Sequence, residues 1–133
     1  MKGLKARDIM TRPVVSARKS ASARDVAMQL LCGLYSGMPV TDQNGKVIGV
    51  ITELDLLKAL KEGKELVRIT AGDIMTKEAI TVDADTPVEK VVDIMMSKNI
   101  IRVPVCEEGK LIGVVARCDI LRSFIEPEFI THM

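Results

Sequence analysis

The sequence predicts an α+β fold built from two copies of a strand–helix–strand–strand–helix unit. Three observations lead there. First, the chain repeats itself in order. "ARDIMT" at 6–11 returns as "AGDIMT" at 71–76, and "MPV" at 38–40 as "VPV" at 103–105. "NGKVIGV" at 44–50 returns as "EGKLIGV" at 108–114, and "GVITELDLL" at 49–57 as "GVVARCDIL" at 113–121. Second, each copy places apolar residues on one helical face: Ala23, Val26, Ala27 and Leu30, then Val88, Val91, Val92 and Met95. Third, each copy has two apolar runs around a Gly-containing turn, which is a hairpin signal. Copies of this size are marginal alone, so the two are expected to pack into one core.

The elements follow in order. Val14-Val15 reads as a short strand, and a helix covers the first apolar stripe. Strands at 38–41 and 47–52 flank "DQNGK", where Asn44-Gly45 suits a turn needing positive φ. A helix at 53–61 closes the copy. In the second copy a strand at 80–82 precedes "TPVEK", read as Thr86 at the N-cap, Pro87 at the first helical position and Glu89 completing a capping box. Strands at 101–105 and 111–116 flank "EEGK", and a helix at 117–125 follows. The second hairpin turn is one residue shorter, a loss that turns tolerate. The expected boundaries are a first repeat at 1–62, a linker at 63–70 and a second repeat at 71–133.

Composition narrows the function. The chain has 133 residues, 47% hydrophobic and 28% charged, which is a globular balance. Aromatics are 2% and the net charge is +1, so a nucleic-acid groove with stacking rings is not expected. No apolar run approaches membrane-spanning length, and "MKGLKARDIM" is charged too early for a signal peptide, so the cytoplasm is expected. Cys32, Cys106 and Cys118 read as reduced, mostly buried thiols rather than a disulfide frame or a zinc site. The only histidine, His132, sits beside the chain end, a poor place to hold a catalytic base. With no nucleophile–base set and no metal-ligand cluster, neither an enzyme nor a bound cofactor or metal is expected.

The stretch "TELD" carries the chemistry. Its simplest reading is a helix start, with Thr52 as cap and Asp55 in the first turn. The second copy keeps Asp119 where Ala116 cannot cap, which that reading leaves open. The other reading uses the same geometry. A helix N-terminus attracts phosphate, a Thr hydroxyl can bind a phosphate oxygen, and a carboxylate can accept from two vicinal hydroxyls. Phosphate plus diol is a ribonucleotide, and a carboxylate on a ribose recurs in nucleotide sites.

"DIMT", the apolar-Pro-Val strand and "GVIT-x-x-D", in that order twice over about residues 5–126, resemble a CBS-domain pair, also called a Bateman module. The resemblance implies two units related by a pseudo-twofold and adenosine ligands in two clefts between them: AMP, ADP, ATP or S-adenosylmethionine. It places Asp55 at the ribose hydroxyls, Thr52 at phosphate or ribose, and Arg102 at phosphate. Val50, Ala79, Ile80 and Pro104 would line the adenine. The second cleft would have Asp119, walled by Val14, Val15, Val114 and Pro39. It lacks the hydroxyl at Ala116, and Gly37 stands where the second copy has Arg102, so it is expected to be weaker.

The expected function is therefore a regulatory sensor of an adenine nucleotide or related molecule, acting on a protein partner in trans. The alternative is a constitutive interaction or assembly module with vestigial clefts. A homodimer is expected from the surplus of apolar residues on the closing helices: Leu56, Leu57 and Leu60, then Ile120, Leu121, Phe124 and Ile125. Met38, Met75, Met95 and Met96 read as core filler. Gly49 and Gly113 read as sites of close strand packing.

Overall fold

A computed structural model describes residues 3–12, 14–33 and 35–132, with side chains up to residue 125. The His132 side chain lies outside the described part. In chain order the elements are α1 (Ala6–Ile9), β1 (Ala17–Arg18), α2 (Ala23–Gly33), β2 (Gly37–Thr41), β3 (Val47–Thr52) and α3 (Glu53–Lys61). A 3-10 turn at Leu66–Arg68 follows. Then come α4 (Ala71–Ile74), β4 (Thr76–Lys77), β5 (Val82–Asp83), α5 (Val88–Lys98), β6 (Arg102–Glu107), β7 (Lys110–Ala116) and α6 (Arg117–His132). The mixed α+β class is as expected, with two sheets of similar plan.

The chain forms two compact units, and they do not follow the sequence repeats. One unit is Val15–Ala79. The other joins the residues up to Val14 to those from Ile80 onward. Each repeat's opening segment thus belongs to the unit built mainly by the other repeat. The buried apolar residues fall in two clusters. Val26, Leu30, Met38, Val40, Ile51 and Leu56 centre one; Val88, Val91, Met95, Val103, Val105 and Val115 centre the other. In each cluster strand valines or isoleucine pack with residues of two longer helices, α2 and α3 in one and α5 and α6 in the other.

In the 15–79 unit the sheet order is β1-β2-β3-β4, with β1 parallel to β2 and the rest antiparallel. In the other unit the order is β5-β6-β7. There, among the described residues, the place of β4 is taken by an antiparallel bridge, Thr11 to Val114, matching the Thr76–Val50 pair of the first sheet. The bridging segments pass close to a glycine. A Cβ on Gly49 would lie 2.7 Å from both Met75 Sδ and the Thr76 carbonyl, and one on Gly113 would meet the Met10 side chain. The Met-Thr of "DIMT" and the Gly of "IGV" are therefore one packing device, used twice.

The hairpin turns show where the repeats differ in length. In the β2–β3 turn the Asp42 carboxylate accepts the Asn44 and Lys46 N–H groups at 2.8 and 3.0 Å, and Gly45 takes φ +82°. Those backbone donors, Lys46 first, hold the Asp42 carboxyl below its ordinary value. The shorter β6–β7 turn places Glu108 and Gly109 at φ 53° and 80°, a two-residue hairpin loop.

Several local expectations are corrected. Val14 and Val15 lie outside any strand; the paired residues are Ala17 and Arg18, with Val82 and Asp83 in the second copy. Thr86 does not cap α5. Pro87 holds the cap position without a side-chain bond, and the Val88 N–H instead donates to the Leu4 carbonyl at 2.9 Å. A partner from the opening segment replaces the local cap. Of the cysteines only Cys106 is buried, its thiol pKa pushed up by that burial; Cys32 and Cys118 are exposed. Met96 is 76% exposed and is not core filler, while Leu56 and Ile120 belong to the core rather than the surface.

Candidate functional site

β3 runs into α3 without a loop, which fixes the head of that helix against the sheet. Thr52 is extended (φ −122°, ψ 167°) and caps the helix. Its hydroxyl accepts the Asp55 N–H at 3.3 Å and donates to Asp55 Oδ2 at 3.1 Å; Oδ2 also accepts the Thr52 N–H at 2.9 Å. This is a complete capping box. A further donor comes from β4: the Thr76 hydroxyl reaches Asp55 Oδ1 at 3.1 Å. Asp55 is buried, 9% exposed. A carboxylate has about four acceptor positions. Three are filled here, and no donor among the described residues takes the second position on Oδ1.

The second copy uses the same plan with different donors. Asp119, 5% exposed, accepts the Ala116 N–H on Oδ2 at 2.7 Å. Its Oδ1 accepts the Thr11 hydroxyl at 2.9 Å and Arg122 Nη1 at 3.2 Å. With no hydroxyl at Ala116, Asp119 still caps the backbone N–H at the head of the helix. The same backward bond recurs where Lys5 N–H meets Asp8 and Thr70 N–H meets Asp73, both at 2.8 Å. The Thr70 backbone bond holds the Asp73 carboxyl below its ordinary value.

The expected ligand residues divide between the units. Thr52, Asp55, Val50 and Ala79 lie in the 15–79 unit; Arg102, Ile80 and Pro104 lie in the other. Thr52 and Asp55 are bonded directly, and Val50 pairs with both Thr76 and Pro39 across the sheet. Arg102 opens β6, exposed, opposite Ala116. Pro104 is buried, Val50 and Ala79 are half-buried, and Ile80 is 37% exposed. In the weaker set, Asp119, Val14 and Val114 share a unit, with Val15 and Pro39 in the other.

Three residues at these carboxylates escaped the sequence reading. Thr76 and Thr11 were visible in "DIMT" but served there only to mark the repeat. Arg122 was visible as the i+3 partner of Asp119, a spacing that places two side chains on one helix face. Among the described residues no cluster of three or more His, Cys, Asp or Glu could hold a metal ion, and no helix is long and apolar enough to cross a membrane.

Comparison with known proteins gives the same frame. The CBS domain family model matches twice, over residues 6–62 and 71–126. The chain is 34% identical over 119 residues to the L-aspartate semialdehyde sulfurtransferase of Methanocaldococcus jannaschii. The match covers 89% of this chain but only 23% of that protein. Among solved structures, the CBS domain pair of protein MJ0100 in complex with 5'-methylthioadenosine and S-adenosyl-L-methionine is 33% identical. Its TM-score is 0.76, covering 93% of this chain and 98% of that one. The CBS domain protein PAE2072 of Pyrobaculum aerophilum, complexed with AMP, is 26% identical with a TM-score of 0.77, covering 93% and 97%. With both repeats matched and the duplicated "DIMT" and glycine device in place, this chain belongs to the CBS-domain family and is a CBS-domain pair.

Proposed function

We propose that the chain is a regulatory module that senses an adenosine derivative through Asp55 and passes the signal to a protein partner in trans. One observation carries the reading. Asp55 is a buried carboxylate at a helix head; one acceptor position of its Oδ1 takes the rotatable Thr76 hydroxyl, and the other meets no donor among the described residues. A ribose diol needs two such positions, and turning the Thr76 hydroxyl aside supplies the second. The ligands held by the solved relatives, AMP in one and two S-linked adenosines in another, support the adenosine class. In this reading Thr52 and Arg102 take the phosphate side, and Val50, Ala79, Ile80 and Pro104 flank the base.

The Asp119 set is the weaker site. Ala116 brings no hydroxyl, Gly37 brings no cation, and Arg122 already pairs with the carboxylate at 3.2 Å. Calorimetry tests the assignment. A bond to a charged group contributes roughly 1.5–3 kcal/mol, so 2′- and 3′-deoxy analogues should bind at least about tenfold more weakly than AMP. Arg102→Ala should weaken AMP sharply and adenosine little. Equal affinity for AMP and the deoxy analogues would remove Asp55 from the ribose.

We also infer a homodimer. Leu31, Leu57 and Leu60 are 53% or more exposed in one unit, as are Met96 and Leu121 in the other, with Phe124 and Ile125 above 40%. Exposed apolar side chains in such number on helices mark association surfaces. The same faces favour the second reading, a constitutive assembly module. A panel of adenosine ligands separates the two, because a ligand at a hundred times its Kd adds about 2.7 kcal/mol and raises the melting temperature by several degrees. No shift with any of them would leave assembly as the function.

A further inference from the structure

The three donors on Asp55 all lie in the 15–79 unit, and they are not tied equally. The Thr52 N–H belongs to the backbone at the head of α3 and cannot leave without undoing the cap. The Thr52 hydroxyl is bound at both ends: it accepts the Asp55 N–H at 3.3 Å and donates to Oδ2 at 3.1 Å. The Thr76 hydroxyl meets nothing but the carboxylate among the described residues, at 3.1 Å from Oδ1 and 3.4 Å from Oδ2. Thr76 is exposed, so a hydroxyl turned away from Asp55 reaches water. The strand beneath it stays, because the Thr76–Val50 pairing and the Met75 side chain over Gly49 do not involve the hydroxyl. At Asp119 the matching hydroxyl, from Thr11, shares Oδ1 with Arg122, so both positions of that oxygen are taken.

We propose that the Thr76 hydroxyl is a built-in competitor for the ligand's ribose diol, holding Asp55 Oδ1 in the free chain and yielding it on binding. This rests on Asp55 being the ribose carboxylate and goes beyond it by naming what sets the affinity. In the free chain a buried carboxylate short of donors is costly, and Thr76 supplies one. A diol that takes the open position on Oδ1 and the one beside it replaces that hydroxyl. The ligand then gains only the difference between its own bonds and the bond it breaks. Its apparent affinity falls with the fraction of free chains in which Thr76 has already turned away. A ligand without the diol leaves Thr76 in place and does not meet the competition. The hydroxyl thus keeps the empty chain stable and moves the response to higher ligand concentration.

Calorimetry of AMP and 2′,3′-dideoxy-AMP against the full chain tests this, with melting curves of the free protein beside it. Thr76→Val removes the hydroxyl and keeps a branched strand side chain. Free, it should melt below the wild type, yet it should bind AMP about threefold or more tightly, with dideoxy-AMP within about twofold of the wild type. Thr76→Ser keeps a hydroxyl and should bind AMP within about twofold of the wild type. Thr76→Ala removes the same bond and should shift AMP in the same direction, which keeps the test open if the valine variant does not fold. A merely structural hydroxyl would lower the melting temperature and leave AMP binding equal or weaker. That result, or equal tightening of AMP and dideoxy-AMP, overturns the competitor while leaving Asp55 at the ribose. A wild-type chain that binds AMP and dideoxy-AMP equally, or binds neither, overturns the ribose reading, and the competitor with it.

Discussion

Asp119 shows how much of a conserved-looking motif can be scaffold. Its carboxylate gathers a backbone N–H from Ala116, a hydroxyl from Thr11 and a guanidinium from Arg122. All three contacts are partly buried, but Arg122 is 53% exposed and solvent screens its pair. Asp119→Ala should therefore cost about 2–3 kcal/mol by leaving the Ala116 N–H and the Thr11 hydroxyl without their acceptor. Arg122→Ala should cost less than about 1 kcal/mol. Urea unfolding of both variants checks the order, and equal losses would mean that the ion pair rather than the cap holds the helix. Asp55 shares the matching hydroxyl, from Thr76, adds the hydroxyl of Thr52, and has no ion pair among the described residues.

At the scale of elements, the glycine–methionine device makes a graded prediction. Around Gly49 the space of a Cβ is taken by Met75 Sδ and by a backbone carbonyl, that of Thr76. Around Gly113 the three nearest atoms all belong to the Met10 side chain. A thioether can move and a strand carbonyl cannot without breaking its pairing. Gly49→Ala should therefore destabilise more than Gly113→Ala, both within the roughly 1–3 kcal/mol typical of overpacking. Adding Met10→Ala should recover much of the Gly113→Ala loss in thermal melts. A Gly113→Ala loss that Met10→Ala leaves untouched would place the strain elsewhere.

Over the whole molecule, the interleaving of repeats gives residues 4–11 a structural task in the unit of the second repeat. Ala6 is fully buried in the cluster of the 80–132 segment. Its N–H donates to the Thr86 carbonyl, and the Leu4 carbonyl holds the Val88 N–H that starts α5. Arg7 adds ion pairs to Asp85 and Glu107 at 2.9 and 3.2 Å. Deleting residues 1–14 should loosen α5, β6 and β7 while sparing β2, β3 and α3. Amide exchange resolves such local opening. Protection lost equally in both units would show that they unfold as one.

The sequence alone determined the duplication, the class of each major element and the two helix heads, because these are written in local signals. Apolar period, turn glycines and the Thr-x-x-Asp cap act within a few residues of one another. α3 begins and ends at the residues its pattern names, 53 and 61. Only the tertiary structure decided which segments share a core. Residues 6–11 and 71–76 look alike, and nothing local says that each packs in the unit of the other repeat. That choice is made by long-range contacts: a strand bridge at Thr11 or Thr76, a methionine over a glycine, a hydroxyl on a distant carboxylate. The start of α5 fell to the same cause, since its donor is satisfied by Leu4 rather than by Thr86 beside it. A backbone group takes whichever partner the fold brings to it, and sequence distance does not enter that choice.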